Sequence, residues 1–478
     1  MTDQTINSLE TITSARQLLG TKNVHPGVSD WFRRGTHGRG FVGLGLSLAV
    51  FILQFALALQ FNMRGGFDKI DLLFDADTKW YLEGFETGGG AHGSWGGRGL
   101  AHLNVTNLIN PPIAAVSVCA GVIDGPSLNH NIRRILAVAV APCASGVRTF
   151  FVWSVLSVMG CSLLDSLLFV ALSVVCFSGV LFGSIPESFG LSGACFAYLS
   201  YLAAAFCFRK GKISAPQWLI SGALLFSITI TNIVPFGMVL FCLYRVKLGR
   251  IRTAILRTGI MLIGAIAISC AAFLILTGMY GAYKNLSPRI GQLEEVRTSV
   301  DAVVAGFYGF PRATLYAFAP PEPNILMAAQ DTSGNVRPPK ALRITFRKDI
   351  QRIANVLGEG GAVRVGQTSP YLEGLSWVLF LSVLAFATVG VWKSEQAQRT
   401  LAAICLLQIA FHWVLHSVFG KEPFLYTLHW LIPLIVFIST GLMAKSKVAI
   451  TGRLVLAAFL LLSLGETLHV LNVLLPFL

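Results

Sequence analysis

Charge is what this sequence has least of. Lys, Arg, Asp and Glu together make up 13% of it, about half the roughly 25% usual in soluble domains. A soluble fold would have to expose much of the 54% that is hydrophobic. Acidic residues are the scarcer sign, 23 against 37 basic ones, for a formal net charge of +14. Such an excess can mark a nucleic-acid-binding chain. Here the basic residues are spread through the loops between apolar runs, where cytoplasmic retention and anionic headgroups account for them, so nucleic acid is not an expected partner. CxxC pairs and metal-like cysteine spacings are also lacking. The nine cysteines mostly fall inside apolar runs and read as small core residues. The first 40 residues are too polar for a signal peptide, so 41–61 reads as an uncleaved first span.

Apolar runs of about 20 residues fill the rest, each matching the roughly 30 Å of hydrocarbon that a helix must cross. The candidates are 41–61, 134–158, 164–183, 189–207, 216–230, 232–244, 257–279, 373–392, 400–418, 425–443 and 454–475. The fold class is therefore an all-α polytopic membrane bundle of about 10–11 transmembrane helices. The runs 216–230 and 232–244 are short and flank Ser227-Ile-Thr-Ile-Thr-Asn232, which predicts a bent hairpin with its apex near Asn232.

Four parts follow: a cytoplasmic segment 1–40, an N-terminal membrane half 41–279 containing a first outer loop 62–133, a loop region 280–372, and a C-terminal membrane half 373–478. Basic clusters at Arg33/Arg34, Arg209/Lys210, Arg250/Arg252, Lys393/Arg399 and Lys445/Lys447 mark cytoplasmic ends. They place the N-terminus inside and the two long loops outside. The C-terminus Leu474-Leu-Pro-Phe-Leu478 carries no eukaryotic retention signal, as expected of a bacterial inner-membrane protein.

Reactive residue types collect in the outer segments. Asp75-Ala-Asp77 pairs two carboxylates among apolar and aromatic neighbours, an arrangement able to hold a divalent cation or to take a proton from a hydroxyl. The same pair serves equally as the cap of a short helix through Trp80 and Leu82. The turn Ile185-Pro186-Glu187-Ser188 sets a carboxylate at a span end, where it either faces a wet cavity or caps the helix that follows. In Lys421-Glu-Pro-Phe-Leu-Tyr426, Lys421 and Tyr426 can steady a phosphate leaving group, or anchor the interface as an aromatic belt does. His429, one turn deeper, can join them at a phosphate, though the favoured reading gives it no direct role there. Leu342, Phe346, Ile350, Ile353 and Leu357 recur at helical spacing beside Arg343 and Arg347, predicting a basic amphipathic helix that attracts lipid phosphate. Arg148 lies deep in a span, where a charge needs a partner such as a carbonyl or a function.

Taken in order, the acidic motif Asp75-Ala-Asp77, the Pro186-Glu187-Ser188 turn, the Thr231-Asn232 bend and the Pro423-Phe-Leu-Tyr426 turn resemble the GT-C superfamily of polytopic glycosyltransferases, which includes protein mannosyltransferases and bacterial aminoarabinose-type transferases. The resemblance implies inverting transfer of a sugar from a polyprenyl-phosphate donor to a lipid, glycan or protein acceptor on the outer face. It gives Asp75 or Asp77 the role of general base by position, while Glu187, Lys421, Tyr426, Arg343 and Arg347 are the candidate substrate contacts on their own chemistry. The chain departs from that pattern in its glycine-rich Gly88–Gly97 stretch and in having no sizeable soluble C-terminal domain, which argues against the oligosaccharyltransferase branch. No cofactor is assigned beyond the divalent cation that Asp75 and Asp77 can accept. A transporter or lipid flippase is the alternative, resting on Arg148 and the Asn232 bend.

Overall fold

The computed structural model describes residues 37–67, 78–87, 105–124, 126–209, 214–286, 299–321, 324–326, 343–345, 362–364, 370–419, 423–443 and 446–475. The chain divides into two compact units, Met1–Leu44 and Gly45–Leu478. Of the first, only the opening of helix α1 (His37–Met63) is described. The second is an all-α polytopic membrane bundle. Among the described residues nine helices are long and apolar enough to cross a membrane.

After α1 come two helices of the first long loop, α2 (Thr78–Thr87) and α3 (Val105–Asp124), then α4 (Pro126–Met159). The run 164–183 breaks into α5 (Leu163–Val175) and α6 (Phe177–Leu181), with Cys176 in an extended conformation between them. Helix α7 (Ser188–Arg209) is followed by α8 (Ala215–Ile228), a 3-10 turn Ile230–Asn232 and α9 (Ile233–Leu248). Fourteen residues of helix rise about 21 Å, short of the roughly 30 Å core. Phe236 meets Gly222 and lies 6.4 Å from Trp218, so the chain doubles back at the 3-10 turn. Helix α10 (Ile251–Leu286) packs against both arms, with Ser269 Oγ 2.9 Å from Ser227 Oγ.

The loop region 280–372 is not wholly outside the bundle. Its helix α11 (Val300–Phe318) packs among the later spans α12 (Pro370–Trp392), α13 (Gln396–Val418), α14 (Thr427–Leu442) and α15 (Lys447–Leu474). Phe310 stacks on Trp413 at 5.6 Å and lies 4.4 Å from Trp430, whose Nε1 donates to Thr314 Oγ1 at 3.0 Å. Phe318 meets Phe380 and Phe459. Pro311 and Arg312 keep this helix from reading as a span, yet its aromatic face is drawn inward by ring packing.

Beyond α11 the loop holds a small antiparallel sheet of order β2-β1-β3, built from β1 (Asn324–Leu326), β2 (Arg343–Thr345) and β3 (Ala362–Arg364). At Arg343–Thr345 the backbone is strand where the sequence predicts the first turn of a basic amphipathic helix. Arg343 lies in a strand, in register with Leu326, and the β-branched residues Ile344 and Thr345 are in register with Ile325 and Asn324. Branching at Cβ favours extended backbone once a partner strand is present, and the tertiary pairing overrides the helical spacing. Arg347 and the rest of that stretch lie outside the described residues.

Helix α14 is the centre. Its sequence Thr-Leu-His-Trp-Leu-Ile-Pro-Leu-Ile-Val-Phe-Ile-Ser-Thr-Gly-Leu carries no Lys, Arg, Asp or Glu, and all 16 residues are buried. The span Phe424–Leu442 is 94% buried, whereas α1, α10, α12 and α15 are 28% buried over their apolar windows and face outward. Close approach of α12 and α14 depends on small residues. A Cβ on Gly390 would fall on the carbonyl oxygen of Gly441, and one on Gly441 on that of Ala387. Such contacts replace the hydrophobic driving force that lipid does not supply. Gly390→Val is expected to cost about 1–3 kcal/mol through overpacking, seen as a lower thermal midpoint of the detergent-purified protein. An unchanged midpoint would remove this contact from the account.

Candidate functional site

Helix α2 begins one residue after Asp77 and is fixed to the bundle from several directions. Its apolar positions Tyr81, Leu82 and Phe85 are buried on one face, with the Tyr81 and Phe85 rings 6.0 Å apart. On the exposed side, Lys79 and Glu83 form an i,i+4 pair at 3.9 Å, which contributes little. The firm anchors are deeper. Glu86 pairs with Arg134 of α4 at 3.3 Å, Arg134 Nε donates to Asn62 Oδ1 at 2.9 Å, and Asn110 Nδ2 donates to the Phe85 carbonyl at 2.9 Å. The ends of α1, α3 and α4 thus hold the loop helix in place.

Tyr81 then reaches the turn between α6 and α7. Its hydroxyl has hydrogen-bonding interactions with Ser188 and Glu187, and Tyr426 stands nearby. Burial, with the Glu187 charge beside it, holds the phenol well above its ordinary pKa, so it stays protonated and serves as a donor. Glu187 is itself buried, and its Oε1 accepts from Ser188 N at 2.9 Å and from Ser188 Oγ at 3.3 Å. That is the helix-start role a carboxylate can take. The phenol adds a contact from a segment more than a hundred residues away in sequence.

The second turn, Pro423–Tyr426, rests on α6. Phe424 lies 5.7 Å from Phe177 and 5.6 Å from Phe182, while Thr427 Oγ1 and Ser178 Oγ are 2.7 Å apart. Phe189, the second residue of α7, meets the Tyr426 ring edge-on at 5.3 Å. Beneath Tyr426 lie three histidines. His416 stacks on its ring at 4.4 Å, His412 follows one turn along α13 at 5.8 Å and nearly parallel, and His429 of α14 is 5.5 Å from His412 and 6.3 Å from His416. All three are buried, and one ligating atom from each lies within 4.8 Å of the others. Phe196, Phe411 and Trp430 wall the group.

The structure therefore brings together two of the residues expected to contact substrate, Glu187 and Tyr426, and adds Tyr81, His412, His416 and His429. Asp75, Asp77, Lys421 and Arg347 lie outside the described residues, and Arg343 stands in the small sheet. His429, for which no direct role is the favoured reading of the sequence, is one of a cluster. Tyr81 carried a faint signal, its place directly after the acidic motif. The histidines carried a clearer one, a His-x3-His spacing inside an apolar helix, which sets both rings on one face. Arg148 is fully buried, with Nη2 donating to Ser145 Oγ at 2.9 Å and to the Gly179 carbonyl at 3.2 Å. The Gly179 carbonyl also accepts from Gln54 Nε2 at 3.0 Å. A carbonyl partner thus accompanies this charge.

A protonated phenol, a carboxylate and an aromatic wall at one end of the bundle can orient a hydroxyl-rich molecule by donating and accepting at neighbouring points. Tyr81→Phe is expected to cost about 1–3 kcal/mol, the usual effect of removing a bond to a buried charged group. A double-mutant cycle with Glu187→Gln should give a coupling of about 0.5–3 kcal/mol in detergent unfolding. Strict additivity would show that the two side chains do not interact. No protein-family model, curated protein or solved structure matches the chain.

Proposed function

We propose that the chain is a GT-C-type inverting glycosyltransferase that moves a sugar from a polyprenyl-phosphate-linked donor to a lipid, glycan or protein acceptor on the extracytoplasmic face of a bacterial inner membrane. One observation carries this reading. The helix that follows Asp75-Ala-Asp77 delivers Tyr81 to Glu187 and Tyr426, so three segments far apart in sequence meet at one end of the bundle, which supports a shared role for them. In this reading Asp75 or Asp77 deprotonates the acceptor hydroxyl. Glu187 and Tyr426 hold the sugar, and Lys421 steadies the departing lipid phosphate.

The orientation rests on charge. Asn62, Arg64, Tyr81, Arg134, Glu187, Tyr426 and Leu475 share one end, joined by the bonds above and by Arg64 Nη1 donating to the Leu475 carbonyl at 2.6 Å. Arg453, paired with Asp165 at 3.3 Å and donating to the Leu442 carbonyl at 3.0 Å, marks the other end. The basic helix termini Arg209, Arg245, Lys247, Arg250, Arg252, Lys393 and Arg399 belong by chain alternation to that second end, which makes it cytoplasmic. Of the arginines at the site end, Arg64 donates to the Leu475 carbonyl, and Arg133 and Arg134 are engaged by Ser117 and Glu86, a structural reason for their place.

Proteoliposomes supplied with polyprenyl-phosphate sugars and a membrane-fraction acceptor provide the test. Wild-type protein should form product, and an Asp75→Asn, Asp77→Asn double variant should lose about 10²–10⁴-fold in rate, the usual contribution of a general base. Full activity in that variant would sink the assignment. Counterflow of labelled substrate without product would favour the transporter or flippase instead.

A further inference from the structure

We propose that His412, His416 and His429 bind a transition-metal dication of the zinc class. The site is distinct from the acidic pair of the first outer loop. It rests on the histidine geometry alone and stands apart from the transferase reading.

Three imidazoles are a costly set to bury without a reason. An unpaired polar nitrogen in a low-dielectric interior costs free energy, and natural cores rarely leave one orphaned. His412 is wholly buried, and neither of its ring nitrogens has a hydrogen-bond partner among the described residues. Its neighbours within ring-contact range are Phe196, Phe411 and Trp430, together with the two other histidines. Phe196 and Phe411 carry no polar group, and the indole N–H of Trp430 is given to Thr314 Oγ1 at 3.0 Å. An ion among the three rings would give His412 the partner it lacks, with His416 and His429 as the other donors.

The spacing suits a metal. His412 and His416 are four residues apart on α13, the interval that sets two imidazoles on one face of a helix, as in zinc sites built on a single helix. His429 comes from the first turn of α14, the most deeply buried helix, so the third ligand is carried by a rigid element rather than a loop. The ligating atoms lie within 4.8 Å of one another. Metal–nitrogen bonds of about 2.0–2.1 Å would draw them closer through small ring rotations. The donor set selects the ion by chemistry. Three neutral imidazoles with no carboxylate in the group suit zinc, cobalt, nickel or copper, whereas magnesium and calcium require oxygen ligands.

Three protein donors leave one tetrahedral position open, which is the pattern of zinc sites that take up water or a substrate oxygen. Tyr426, stacked on His416, joins this group to the Tyr81–Glu187 cluster.

The test uses the full chain purified in detergent, stripped with a chelator and titrated with Co2+ alone, followed by Zn2+ in competition. Wild-type protein is expected to take up about one equivalent of Co2+ with the visible absorption of a tetrahedral ion, and Zn2+ should bleach that absorption. His412→Phe and His429→Phe keep aromatic volume in the pocket, and each should weaken Co2+ binding by more than about 100-fold while eluting as the wild type does. Should either fail to fold, the corresponding Gln variant replaces it. Absence of a stoichiometric Co2+ signal in the wild type, or retention of that signal in both variants, overturns the proposal. The readout is the ion's own spectrum, so failure here leaves the transferase reading untouched, and loss of sugar transfer elsewhere leaves the metal site untouched.

Discussion

Hydrocarbon offers no hydrogen bonds, and this constraint organises the bundle more than any single contact does. Every polar group placed between the helices must find its partner inside the protein. The chain meets the requirement largely with small side chains. Thr149, Ser154, Thr314, Ser376, Ser417 and Thr440 all donate back to carbonyls four residues earlier. Helix α14 is the limiting case, with no charge to satisfy and no face left for lipid. Around it, glycine contacts such as Gly390 against Gly441 supply the close packing that water would otherwise have driven.

Most of the membrane architecture was legible in the sequence because hydropathy is a local property. The nine long spans coincide with runs that the residues alone delimit, and Asn232 does sit at the turn between two short helices. What the runs could not disclose was length in space. The 164–183 stretch has the composition of a span, yet the chain breaks at Cys176 and only 13 residues form α5. Periodicity misled at Arg343, where pairing with β1 decides the backbone. Helix α11 escaped notice because Pro311 and Arg312 interrupt its apolar character, while its burial comes from rings contributed by α13 and α14.

The site was legible only in fragments for the same reason. Glu187 and Tyr426 stand out as polar residues at span ends, but nothing local in the sequence shows that Tyr81 reaches both. That depends on Arg134 and Asn110 holding α2 against the bundle. The histidines were visible as a spacing, and their convergence required the third ring from the neighbouring helix. Site residues come from four separate segments, each positioned by a rigid helix end. Precision of this kind belongs to the bundle rather than to the loops.

The placement of α11 bears on how the protein is made. Phe318 accepts through its carbonyl from Ser463, 145 residues further along the chain. At a synthesis rate of 5–20 residues per second, roughly 7–30 s pass between the emergence of one partner and the other. During that interval the partners of α11 arrive one after another: Phe380 for Phe318, Trp413 for Phe310, Trp430 for Thr314, and Ser463 last. The packing around α11 is consequently completed late, by helices that lie more than 50 residues further along the chain.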